Sequence, residues 1–216
     1  MNRQYLEKVF SNERMSKYFD AHPGDEAKAH IQYLCNIEVS EAFYPCLSTL
    51  EVALRNAVNR ELTAKFGTVE WYNHFSTTPG LGKLMKEISA AQHHITKRRE
   101  IISPSKIIAE LTLGFWVRLF NSEFERILWH DLRRAFPYLP KKQKKRKVVS
   151  GYLNRFRTFR NRVFHNEPIC WKFAELERIH KDFIQLLAWV NKDLPTFVQP
   201  MDKFSVVISE TKKKLL

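Results

Sequence analysis

Apolar residues recur at three- and four-residue steps along most of this chain, and runs alternating every second position are scarce. Between about residues 25 and 65, Phe43, Leu47, Leu50, Leu54, Val58, Leu62 and Phe66 fall on one stripe, which predicts a long helix with one buried face. Gly67 should stop it, and Pro45 should kink or divide it, because proline removes a backbone donor and clashes with the preceding turn. Ahead of it, a basic amphipathic opening leads to a short helix that Ser11 or Asn12 can cap and that fades at Ala21-His22-Pro23-Gly24. A turn at Thr77-Thr78-Pro79-Gly80 precedes a polar helix over about 83–100. Ser103-Pro104 then predicts an N-cap and first helical residue for an apolar helix over 107–120. Ser122 with Glu125 has the spacing of a capping box for another helix, ending before Pro137.

A basic run over 141–147 leads into a helix carrying Tyr152, Phe156, Phe159 and Val163, limited by Pro168 because the residue before a proline is pushed out of the α region. Residues 171–194 predict the last long helix, stopped at Pro195. Phe204-Ser205-Val206-Val207-Ile208-Ser209 has the residue types of a strand, although it has nothing to pair with. The expectation is an all-α fold, one domain over 1–216, with an N-terminal helical extension over 1–24 and a C-terminal tail over 196–216.

Charge changes the picture. The chain has 36 basic and 23 acidic residues among 216, a net charge of +13, which favours a polyanionic partner. The excess is concentrated: Arg133, Arg134, Lys141, Lys142, Lys144, Lys145, Arg146, Lys147, Arg155, Arg157, Arg160 and Arg162 fall in one stretch without an acidic residue. Single-sign blocks repel themselves unless a counter-charge arrives. A lysine-rich loop kept for solubility is the plain reading, and a phosphate-tracking surface is the preferred one. Tyr138, Tyr152, Phe156 and Phe159 interleave with the block and can stack bases, although the last three also have the spacing of a core stripe.

No stretch approaches the roughly 20 apolar residues of a membrane span, and the first residues lack the apolar core of a secretory signal. Cys35, Cys46 and Cys170 are odd in number and widely spaced, which suits packed, reduced thiols and a cytoplasmic setting. HExxH, GxxxxGK[ST] and GxGxxG signatures are missing, and His93-His94 point apart on a helix, so neither a metal nor a cofactor is expected.

The segment Phe159-Arg160-Asn161-Arg162-Val163-Phe164-His165-Asn166-Glu167-Pro168 brings arginine, amide and imidazole together at the end of the basic block. RNA cleavage without a metal needs a base for the ribose 2′-hydroxyl, an acid for the departing 5′-oxygen and a cation for the phosphorane. His165 can serve as base or acid, Arg160 as a bidentate phosphate clamp, and Asn161 as an orienting donor. Asn161 and His165, four apart, share a helix face. Arg160 and His165 lie about 140° apart on an ideal helix, so the arginine must reach round or the helix must loosen. One histidine shuttles one proton, and a homodimer supplies a second.

These residues resemble the HEPN-domain motif of an arginine followed, after four to six residues, by a histidine. Their surroundings resemble the Abi-like (AbiD/AbiF-type) abortive-infection proteins of bacteria, over two blocks. The first is Ser40-Glu41-Ala42-Phe43-Tyr44-Pro45 with Leu50-Glu51-Val52-Ala53-Leu54-Arg55-Asn56. The second runs from Leu153 through Arg160, His165 and Glu167-Pro168-Ile169 to Trp189-Val190-Asn191. The resemblance implies a HEPN-like helical bundle with additional N-terminal helices, usually dimeric, in phage defence. It also implies metal-independent RNA cleavage leaving a 2′,3′-cyclic phosphate, with Arg160 and His165 as the catalytic pair and Asn161 beside them. The chain departs in two places: many members have His-His where it has His165-Asn166, and a small residue where it has Phe164. Glu51 and Arg55 are one helical turn apart and form either an ion pair that supports the site or an ordinary surface bridge. Glu167 is expected in the same supporting layer.

The expected function is therefore an RNA-binding defence effector, an endoribonuclease acting on cellular RNA. The rival is a non-catalytic module whose basic surface holds a structured non-coding RNA, with Arg160 and His165 gripping phosphate. A DNA-binding regulator ranks below both, since helix-turn-helix spacing is missing.

Overall fold

A computed structural model describes residues 3–216; Met1 and Asn2, at the head of the expected opening, lie outside the described residues. Every regular element among the described residues is helical. Helices α1 (Arg3–Phe10) and α2 (Asn12–Ala21) enclose a small core of Leu6, Met15, Tyr18 and Phe19 that also takes in Ala29. Ala29 belongs to α3 (Glu26–Phe66), the 41-residue helix around which the rest is built. Asp25 caps its start by accepting from the Lys28 amide at 2.8 Å, and Gly67 ends it in the left-handed conformation that glycine adopts without strain.

Pro45 does not divide α3. The proline costs the helix a hydrogen bond, about 3 kcal/mol in an isolated segment. Its neighbours Phe43, Cys46, Leu47 and Leu50 are all fully buried against other helices, and that packing outweighs the loss.

The expected helix over 107–120 is two helices, α5 (Pro104–Glu110) and α6 (Leu113–Arg118), after α4 (Met85–Lys97). Ser103 caps α5 as predicted, while Thr112 starts a new helix by accepting from the Phe115 amide. Trp116 Nε1 donates to the Leu111 carbonyl at 3.2 Å, so the break is itself hydrogen-bonded. The Ser122/Glu125 capping box does not form. A 3₁₀ turn and a π-helical turn lead into the short α7 (His130–Leu132), and the Glu125 carboxylate is engaged with Arg146 at 2.8 Å.

Helices α8 (Arg146–Phe164) and α9 (Phe173–Val190) pack on α3 through Phe156, Phe159 and Phe183. Phe156 and Phe159 are therefore core residues, and Tyr152 packs edge-on against Trp189 at 4.6 Å. Pro195 does not mark the end of helical structure: it sits in the first turn of α10 (Leu194–Val198). The expected strand over 204–209 is instead the first half of α11 (Phe204–Leu215), which buries Phe204, Ile208, Thr211 and Leu215 at helical spacing. The tail is thereby part of the bundle, against α3 and α9. All three cysteines are free and buried. No helix among the described residues is long and apolar enough to cross a membrane.

Candidate functional site

Arg160 lies in the last turn of α8, facing α3. Its Nε donates to Glu51 Oε2 at 3.0 Å and its Nη2 to Glu51 Oε1 at 3.4 Å, a two-pronged pair that fixes the plane of the guanidinium. Beneath it lies the Phe164 ring, 4.0 Å from the guanidinium carbon. Phe164 in turn stacks on Tyr44 of α3 at 6.1 Å with the planes 26° apart. Glu51, Arg160, Phe164 and Tyr44 thus form a strip across α3 and α8, and both aromatic rings remain substantially exposed.

This corrects one expectation. Glu51 pairs with Arg160, 109 residues away, and not with Arg55. Arg55 is half-buried, and its Nε is buried without a hydrogen-bond partner among the described residues. Glu167 likewise supports Arg162, at 3.3 Å, and touches neither Arg160 nor His165 through its side chain.

His165 is the residue at which α8 ends. Its amide still donates to the Asn161 carbonyl at 2.9 Å, keeping the two residues on one face as expected, and both side chains are exposed. Asn166 then takes φ +52°, and the chain closes on itself: the Asn166 amide donates to Val163 at 3.0 Å and the Glu167 amide to Arg162 at 2.8 Å. This is a Schellman closure, whose left-handed residue is usually glycine and sometimes asparagine. Asn166 therefore has a backbone reason to stand after His165. Arg160 and His165 share no hydrogen bond within the chain; the guanidinium is turned to Glu51, while the imidazole stands at the helix end.

Two helpers come from far away in sequence. Arg14 of α2 donates to the Asn166 carbonyl at 2.7 Å and to the His165 carbonyl at 3.5 Å, adding a cation where the helix end is negative. Asn36 of α3, buried, accepts from the amides of Ile169 at 2.7 Å and Cys170 at 3.1 Å and donates to the Glu167 carbonyl. It fastens the loop that follows the motif. A groove of about 650 Å³ runs beside this loop, with Arg14, Tyr33, Ser40, Glu41 and Tyr44 on its walls. Nothing local in the sequence marks Arg14 or Asn36, because their partners are backbone atoms roughly 130–150 residues on.

The basic block separates into two parts. Arg134, Arg146, Arg155, Arg160 and Arg162 are engaged by acidic residues from elsewhere: Glu61 and Asp131, Glu125, Asp182, Glu51 and Glu167. Arg157 bonds to Asn154. Arg133, Lys141, Lys142, Lys144, Lys145 and Lys147 make no ion pair among the described residues, and all are exposed except the half-buried Lys144. Tyr138, half exposed, sits beside them in sequence. The five lysines of this set flank the start of α8, whereas Arg160 and His165 stand at its end. The 19 residues of α8 put about 27 Å between them. Adjacency in sequence is separation in space.

The fold also brings together Cys46, His180 and Asp202, from α3, α9 and the turn before α11. No family model, curated protein or solved structure matches this chain.

Proposed function

We propose that this protein is a HEPN-type, RNA-cleaving defence effector of the cytoplasm, which binds RNA through the lysine cluster around the start of α8 and cleaves it, without a metal, at Arg160 and His165. The observation that carries this reading is the exposed imidazole of His165 one turn beyond an arginine whose fork is preset by Glu51 and Phe164. An RNA phosphate competing with Glu51 meets a guanidinium already oriented. His165, unencumbered, takes the proton from the 2′-hydroxyl or delivers one to the 5′-oxygen. Ile37, Tyr44 and Phe164 together give an apolar margin beside the motif, suited to a second copy that brings its own His165 for the other proton transfer.

The span of about 27 Å favours a long or structured RNA, since it corresponds to about eight stacked nucleotides. It also favours the second reading, a module that holds a structured non-coding RNA along α8 without cutting it. In both readings the lysines carry affinity. Replacing Lys141, Lys142, Lys144 and Lys145 with alanine should lower the slope of log affinity against log salt by up to about 3, as measured by filter binding over a range of salt. An unchanged slope places the RNA on another face.

A further inference from the structure

One cluster of chemically capable side chains plays no part in that reading. Cys46 Sγ lies 3.8 Å from His180 Nε2, which lies 2.8 Å from Asp202 Oδ2, and all three atoms fall within 4.8 Å of one another. They converge from α3, α9 and the turn between α10 and α11, so the set is invisible to any spacing motif. The other Asp202 oxygen accepts from the Phe204 amide at 3.0 Å, and the Phe204 ring lies flat on the imidazole, 4.2 Å away and 8° from parallel. Carboxylate and imidazole are therefore both held in place from outside the cluster, as the ligands of a metal site are.

From these residues we infer a zinc site whose protein ligands are Cys46 Sγ, His180 Nε2 and Asp202 Oδ2. Tetrahedral Zn²⁺ with ordinary bond lengths needs S···N and N···O separations of about 3.6 and 3.3 Å, so the first closes by about 0.2 Å and the second opens by about 0.5 Å. A thiolate beside an imidazole suits zinc and excludes magnesium and calcium, which prefer all-oxygen sets. Thiolate and carboxylate together balance the two positive charges of the ion, so the buried site carries no net charge. A cavity of about 490 Å³ opens over His180, bordered by Glu177, Lys181, Ser205, Ser209 and Lys212. Three protein ligands leave the fourth tetrahedral position to water.

Without an ion, a cysteine thiol keeps its proton at neutral pH, and His180 Nε2–H donates to Asp202. Uptake of Zn²⁺ releases the thiol proton to solvent and moves the imidazole proton to Nδ1, so one proton leaves per ion bound. The ion ties α11 to α3 and α9.

The test is titration of the chelator-washed full-length protein with Co²⁺ and then Zn²⁺, beside Cys46→Ser and Asp202→Asn, with helicity checked by circular dichroism. The expected result is a sulfur-to-cobalt charge-transfer band saturating at one equivalent and bleached by zinc. Binding should weaken by about 100-fold or more in Cys46→Ser. A folded wild type without the band overturns the site, as does a band that persists in a folded Cys46→Ser, which would assign the sulfur to Cys35 or Cys170. Should Cys46→Ser fail to fold, the wild-type spectrum and undiminished binding by Asp202→Asn remain able to refute it.

Discussion

Replacing Arg160 with alanine is expected to slow RNA cleavage by about 100-fold or more while leaving the fold intact. The rate effect follows from the loss of a preoriented donor for the phosphorane charge, a change that typically costs two to three orders of magnitude. The structural effect is small because the pair with Glu51 is partly open to water, with side-chain exposures of 26% and 29%. Such a bridge contributes no more than about 1 kcal/mol, and in a chain of this length that shifts the melting temperature by about 2–4 °C. Arg160→Lys is informative beside it, since lysine keeps the charge and loses the two-pronged geometry. Single-turnover cleavage kinetics paired with thermal melts separate the two effects. A melting temperature that collapses together with the rate would make Arg160 a structural residue.

Asn36→Leu should produce the largest loss of stability. The side chain is 3% exposed, and its carbonyl satisfies two backbone amides of the loop after the motif. Leucine fills the volume but strands both donors, each costing about 1–3 kcal/mol when buried. The expected total is about 3 kcal/mol, a fall in melting temperature on the order of 10 °C. Hydrogen exchange should rise first at Ile169 and Cys170. Gln32 of α3 still holds this loop through its bond to the Cys170 carbonyl at 2.6 Å.

Much of the helical framework is legible in the sequence. The stripe from Phe43 to Leu62, the Asp25 and Gly67 boundaries of α3, the Ser103-Pro104 start of α5 and the span of α8 all follow from local pattern and capping chemistry. Where reading fails, tertiary packing has overridden a local rule. Pro45 stays inside a helix because its neighbours are buried on several sides. The β-branched Val206, Val207 and Ile208 suggest a strand only if the window stops at Ser209. Extended to Leu215, the positions 204, 208, 211 and 215 are a helical face.

The candidate site divides in the same way. Arg160, Asn161 and His165 are legible because they sit within six residues of one another on a single helix end. Arg14 and Asn36 are not, because each acts across more than 100 residues, and Glu51, legible as a supporting residue, pairs with Arg160 rather than with the neighbouring Arg55. The basic block is half legible: its concentration is plain, yet the acidic residues that engage five of its arginines lie outside the block, so only the structure separates spent charge from free charge.

The central claim is that His165 performs chemistry on RNA bound along α8. A labelled structured RNA incubated in EDTA with wild type and with His165→Ala tests it most directly, with product ends mapped and bound fraction recorded. Cleavage by wild type alone, leaving 2′,3′-cyclic phosphate ends, with binding by His165→Ala reduced little, is the predicted result. Equal, salt-sensitive binding by both proteins with no cleavage by either would contradict it and leave an RNA-holding module.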